Sequence, residues 1–88
     1  MQKSQVRLKK QAQKYLSEVD KATYKKLRKA LDGLQEWKGD IVKIKGSDYY
    51  RLKIPKYRII FAFTGDINII SVEEINTRTN IHYRRFLR

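Results

Sequence analysis

Cysteine is absent from this 88-residue chain, so neither a disulfide framework nor a thiolate metal site is available to it. There is one histidine, which leaves zinc without a ligand set. One proline and four glycines are too few for a linker-rich or disordered chain. No apolar run approaches the ~20 residues that span a bilayer, and Met1-Gln2-Lys3-Ser4-Gln5 lacks the apolar region of a signal peptide. The expectation is a cytoplasmic protein with no membrane partner. Acid is scarce too: nine Asp and Glu stand against 21 Lys and Arg, a net charge of +12. Such a field attracts polyanions, whether nucleic acid, ribosome, anionic membrane or acidic protein. The plainer alternative is a merely soluble basic surface.

What is present reads as a small globular protein. Hydrophobic residues make up 41% of the chain, and 88 residues suffice for one core, so a single domain over 1–88 is expected.

The stretch from Tyr49 to Phe63 organises the rest. Strand residues alternate in side. Tyr49, Arg51 and Lys53 therefore share one face of a first strand, with Tyr50, Leu52 and Ile54 on the other. On a second strand Arg58, Ile60 and Ala62 lie opposite Tyr57, Ile59, Phe61 and Phe63. Reversal through Pro55-Lys56 sets Lys53 across from Arg58. Like charges directly opposite destabilise a sheet. Three cations on one face, with no acid between Tyr49 and Phe63, imply an absent anion, read here as an RNA phosphate.

Around that hairpin, Ser4 to Leu8 is a weak candidate for an edge strand with Val6 and Leu8 inward. Ala12, Tyr15, Leu16 and Val19 recur at helical spacing, predicting a helix over Lys9–Val19. Asp20 is placed to cap a second helix running to about Trp37, with Tyr24, Leu27, Ala30 or Leu31, and Leu34 as its apolar stripe. Gly33 lies inside that pattern, and Lys38-Gly39-Asp40 stops it. Ile41 to Ile44 is a short extended piece, and Gly46-Ser47-Asp48 a turn. Thr64-Gly65-Asp66 reads as a hairpin turn before a strand over Ile67–Val72. Thr77 or Thr79 heads a terminal helical turn carrying Ile81, Tyr83 or Arg84, and Leu87. The expected class is α+β: an antiparallel meander sheet with a two-helix hairpin on one face.

Candidate chemistry follows from that layout. Arg51, Lys53 and Arg58 are either ordinary solvated cations or a phosphate site, and the planar donor fork of arginine suits phosphate. His82 is the one side chain whose ordinary titration falls near neutrality. Arg78 and Tyr83 accompany it near the end of the chain. Tyr83 either packs in the core or stacks on a base, and Tyr49, on the basic face, is the better stacking candidate. Lys45, beside a glycine turn, and Lys56, in the hairpin turn, are candidate RNA contacts. Glu73-Glu74 point to opposite faces of a strand and make a poor acid–base pair. No P-loop, HExxH, glycine-rich phosphate loop or Ser/His/Asp arrangement is present, so no cofactor and no metal are expected.

The run Tyr50-Arg51-Leu52-Lys53-Ile54…Tyr57-Arg58-Ile59-Ile60-Phe61, followed by a hairpin, a hydrophobic strand and a tail with Arg78 and Tyr83, resembles the RelE toxins of the RelE/ParE toxin–antitoxin superfamily. The resemblance covers nearly the whole chain. It implies a RelE-like, microbial-RNase-like fold and a metal-independent endoribonuclease that cuts mRNA in the ribosomal A site. In that reaction the 2′-OH attacks the adjacent phosphate, leaving a 2′,3′-cyclic phosphate and a 5′-OH. By position, Arg51 and Lys53 match the family's two basic strand residues, Arg58 the arginine of the Tyr-Arg signature, Arg78 the arginine after the last strand, and Tyr83 the terminal tyrosine. His82-Tyr83 resembles the terminal His-Tyr pair of some relatives, in which the histidine helps catalysis. Pro55-Lys56 departs from the glycine-rich turn of many relatives. On this reading Arg51 and Arg58 stabilise the phosphate, Lys53 is the base, its proton affinity reduced by the two guanidiniums, and His82 is the rival base. The implied partners are a cognate antitoxin and the 70S ribosome with mRNA. A ParE-like gyrase inhibitor and a non-catalytic RNA-binding module are the alternatives.

Overall fold

The structure, a computed structural model, describes residues 3–87. In order they form β1 (Gln5–Leu8), α1 (Lys10–Glu18), α2 (Lys21–Leu34), β2 (Asp40–Lys43), β3 (Tyr49–Ile54), β4 (Tyr57–Thr64), β5 (Ile69–Thr77) and a 3₁₀ turn over Tyr83–Phe86. The strands make one five-stranded sheet in the order β1-β5-β4-β3-β2. The expected meander is β2 to β5, antiparallel throughout. The weak amino-terminal strand adds to it at the edge, parallel to β5, so the sheet is mixed. A parallel partner needs a long return, and the two helices between β1 and the meander supply it.

The central hairpin has the register that its charges suggested, with Lys53 opposite Arg58 and Ile54 opposite Tyr57. Pro55 leads the turn and Lys56 follows in left-handed backbone, φ 70°, the pattern of a tight turn with proline first. Helix α2 steadies it: Lys26 Nζ donates to the Pro55 carbonyl at 3.1 Å and lies 5.6 Å from the centre of the Tyr57 ring.

One face of the sheet is the core. Leu52, Ile59, Phe61, Ile70, Val72 and Ile75 meet Ala12 and Leu16 of α1 and Leu27, Leu31 and Leu34 of α2. Helix α1 is also latched to β5, since the Gln11 amide donates to the Ile75 carbonyl and accepts from the Ile75 N–H, both at 2.8 Å. Those backbone groups lie beyond the end of β1, which pairs only as far as Val72. Without Gln11 they would be an open edge. Asp20 occupies the position before α2, where its carbonyl accepts the Tyr24 N–H at 2.9 Å. The Thr23 hydroxyl holds its carboxyl below the ordinary value.

Several boundaries differ from expectation. Helix α2 ends at Leu34 rather than near Trp37, because Trp37 takes left-handed backbone (φ 57°) and turns the chain back. Gly39 (φ 124°) completes the reversal; a Cβ there would stand 2.6 Å from Leu52 Cδ1. Tyr24, placed on the apolar stripe, is exposed. Phe63 is also exposed at its edge, against the Trp37 ring at 5.3 Å. Ile67 falls in the turn and β5 begins at Ile69, running on to Thr77. In the terminal turn the buried side chain is Phe86, not Leu87.

Candidate functional site

Strand alternation leaves a second sheet face that the helices do not cover. From register, Val42 of β2, Arg51 of β3, Ile60 of β4 and Glu74 of β5 form one row across it. Asp40, Lys53, Arg58 and Asn76 form the next row toward the hairpin turn. The absence of acid within Tyr49–Phe63 therefore does not extend to the assembled face. Asp40 comes opposite Lys53 from one side, and Glu74 joins the row of Arg51 from the other. Both arrive from strands outside the stretch that the sequence argument used.

The end of the chain folds over this face. Thr77 begins the reversal, its carbonyl accepting from the Asn80 and Ile81 N–H groups, each at 3.1 Å. The Phe86 ring then packs edge-on against Tyr49, centroids 4.9 Å apart. Tyr49 is thus half-buried under the chain's own terminus.

Between that terminus and strands β2 and β3 lies a groove of about 260 Å³ lined by Val42, Lys43, Ile44, Lys45, Arg51 and Tyr83. Arg51 and Lys45 there meet Tyr83, which lies far along the chain from both. Arg51 Nε is buried without a hydrogen-bond partner, which is uncommon for a charged donor. Lys43, which the sequence reading did not single out, is the fourth polar lining residue. Its pairing with Tyr50 turns the Lys43 side chain to the helix-covered face, so Lys43 borders the groove without aiming its ammonium into it.

The other candidates fall outside this groove. Lys53 is exposed in the next row. Arg58 turns its guanidinium back on the hairpin, Nη1 donating to the Tyr57 carbonyl at 2.7 Å and the Ile54 carbonyl at 3.0 Å. Arg78 is exposed just past β5, its N–H donating to the Lys56 carbonyl at 3.0 Å, so Arg78 and Lys56 flank the hairpin turn together. His82 leans on Glu74, with Nδ1 2.7 Å from Oε2. Among the described residues no three His, Asp or Glu side chains group closely enough to hold a metal ion, and no helix is long and apolar enough to cross a membrane.

Glu74 is the polar residue that sequence reasoning undervalued. It is fully buried, although it lies on the face away from the helices. A bulge explains this. Ile60 pairs with Glu74 and the next residue, Phe61, pairs with Val72, so Glu73 is an extra residue in β5. Strict alternation puts Val72 and Glu74 on the same side. The bulge sends Val72 to the core, Glu74 to the open face and Ile75 back to the core, while Glu73 pairs with Lys9 at 3.4 Å. The sequence does carry a signal for it: buried positions Ile70, Val72 and Ile75 step by two and then by three.

The fold is that of a RelE-like α+β protein, and comparison with solved structures agrees. The chain is similar to a chain of the archaeal RelE–RelB complex of Pyrococcus horikoshii OT3, with 25% identity over 90% of this chain and 99% of that one, TM-score 0.74. It is similar to a chain of the RelB–RelE antitoxin–toxin complex of Methanococcus jannaschii, with 29% identity over 91% and 98%, TM-score 0.68. The isolated E. coli RelE toxin shares the fold at 16% identity, over 93% and 92%, TM-score 0.73. No protein-family model matches the sequence, and neither does any curated protein. The RelE-type resemblance carried by the strand residues is thus present in the whole three-dimensional structure, and it supports a toxin of the type II toxin–antitoxin kind.

Proposed function

We propose that this protein is a ribosome-dependent mRNA endoribonuclease, the toxin of a type II toxin–antitoxin pair, held in check by a cognate antitoxin. The observation that carries this reading is the groove in which Arg51, with its buried and unpartnered Nε, meets Lys45 and Tyr83. A phosphodiester undergoing attack gains negative charge on its non-bridging oxygens. A guanidinium with an unspent donor, the Lys45 ammonium and a low-dielectric wall are suited to stabilising that charge.

In the reaction the 2′-OH oxygen attacks phosphorus, the bond to the 5′ oxygen breaks, and a cyclic phosphate and a 5′-OH remain. Arg51 binds the non-bridging oxygens. Tyr83 stacks on a neighbouring base. Lys45 holds the flanking backbone, while Lys53, Arg58, Lys56 and Arg78 extend the positive track toward the hairpin turn. Lys53 and His82 are the groups able to accept the 2′-OH proton. So open a groove orients its substrate weakly, so the ribosome supplies the orientation and free RNA is cut slowly.

The test is induced expression with mapping of mRNA 5′ ends, alongside cleavage of mRNA on purified programmed ribosomes, for wild type and Arg51→Ala. Wild type is expected to give discrete in-frame cuts and Arg51→Ala about 10²-fold fewer. Absence of cuts together with loss of DNA supercoiling would replace this reading with gyrase inhibition. RNA binding without any product would leave a binding module.

A further inference from the structure

A carboxylate with no exposure, on the face away from the hydrophobic core, needs an explanation, because burying a charge is costly unless its partners compensate. Glu74 is such a group. Its Oε2 accepts the Asn76 side-chain N–H and the His82 backbone N–H, both at 3.3 Å, and faces His82 Nδ1 at 2.7 Å. Its Oε1 has no hydrogen bond and lies 3.8 Å from Arg85 Nη1. The charged and titratable groups facing it are thus His82 and Arg85, both from the terminal turn. Arg51 stands two strands away in the same row, beyond Ile60.

Two N–H groups already aimed at Oε2 mark that oxygen as an acceptor. The short contact to the ring is therefore Nδ1–H donating to carboxylate, which leaves Nε2 bearing the lone pair. The His82 side chain is 63% exposed while its carboxylate is 0% exposed. The ring is gripped from below and presented to solvent beside Tyr83, which lines the groove. Loss of Glu74 alone would free both the ring and the terminal turn.

We propose that Glu74 is a positioning residue that fixes His82 with Nε2 outward, and that His82 is the proton acceptor of the cleavage reaction. This rests on the ribonuclease reading above. Nε2 takes the 2′-OH proton as the oxygen bonds to phosphorus, and the 5′ oxygen leaves with the P–O electron pair and takes a proton from solvent. The imidazolium, steadied by the buried carboxylate, then returns its proton to solvent. Lys53, exposed in the adjacent row, remains a phosphate contact.

His82 is the only histidine in the chain, so its ring nitrogens can be read without assignment by nitrogen-resolved NMR of the isolated protein. Wild type is expected in the Nδ1–H form, and Glu74→Ala in the Nε2–H form that dominates in water. On programmed ribosomes, His82→Ala should slow single-turnover cleavage by about 10²-fold or more. Glu74→Ala should slow it by about tenfold in the wild-type background and not at all in the His82→Ala background, the signature of a residue that acts through another. Glu74→Gln keeps an acceptor of the same shape and should keep the Nδ1–H form. It serves in the same cycle if the alanine variant fails to fold, with a smaller loss that likewise disappears without His82. Equal losses in both backgrounds, an unchanged tautomer in Glu74→Ala, or wild-type cleavage by His82→Ala would overturn the proposal. A wild-type protein that never cuts programmed ribosomes would overturn the ribonuclease reading and the catalytic role together. The tautomer would still show whether Glu74 positions the ring.

Discussion

Replacing Arg51 by Met separates a side chain kept for chemistry from one kept for stability. Arg51 is half-buried on β3, in the row with Ile60, and its Nε is buried with no acceptor. A buried donor left unsatisfied costs about 1–3 kcal/mol. Methionine is similarly long and unbranched, fills irregular space and carries no donor. Arg51→Met should therefore fold at least as stably as wild type, with a gain of about 1 kcal/mol. In a domain of this size that corresponds to a rise of about 4–8 °C in melting temperature. Cleavage should move the other way. One hydrogen bond from a charged donor is worth about 1.5–3 kcal/mol, and each 1.4 kcal/mol is about tenfold, so loss of the guanidinium should reduce single-turnover cleavage by about 10- to 150-fold. Thermal melts followed by Trp37 fluorescence and cleavage on programmed ribosomes read the two quantities on the same protein. A variant that melts several degrees lower, or one that cuts at the wild-type rate, refutes the assignment of Arg51 to phosphate.

Three further outcomes follow from backbone and burial. Lys56→Gly relieves left-handed backbone at φ 70°, which costs a side-chain-bearing residue about 1–2 kcal/mol, so the urea midpoint should hold or rise despite the added freedom of glycine when unfolded; a clear fall would mean that the Lys56 side chain supports the turn. Gly39→Ala should lower stability by well over about 1 kcal/mol, because its Cβ would meet Leu52 Cδ1 at 2.6 Å on backbone of φ 124°, and an unchanged urea midpoint would contradict the close approach. Burial, and secondarily the Tyr57 hydroxyl, pushes the Tyr15 hydroxyl above its ordinary value of 10.0. The folded state thus holds that proton more tightly than the unfolded chain. Its contribution is complete below about pH 10 and is lost as pH rises past the ordinary value through the raised one. Tyr15→Phe should flatten the alkaline fall in melting temperature, and tyrosinate absorbance should show one late-titrating ring.

Local pattern was enough to determine the hairpin, the helices and the identity of most core residues. Alternation from Tyr49 to Phe63 requires only that neighbouring residues face opposite ways. Proline followed by a residue in left-handed backbone then sets Lys53 against Arg58. Helical spacing likewise put Leu16, Leu27, Leu31 and Leu34 into the core. The helix end lies outside local pattern because Trp37 and Gly39 reverse the chain through positive φ, and Gly39 is held there by its close approach to Leu52, more than a dozen positions away.

Tertiary structure alone decided which charges meet. The groove joins Lys45 to Arg51 and to Tyr83, and those distances along the chain close only when β2 pairs with β3 and the terminus folds over the sheet. Asp40 reaches the face of Lys53 from the edge strand, an acid that no inspection of the hairpin sequence includes. Glu74 reaches the open face because one bulge at Glu73 reverses the alternation of β5. The reason is geometric: side-chain direction along a strand follows from adjacent residues, whereas the company a charge keeps depends on register between strands, and register is set by the packing of the entire core.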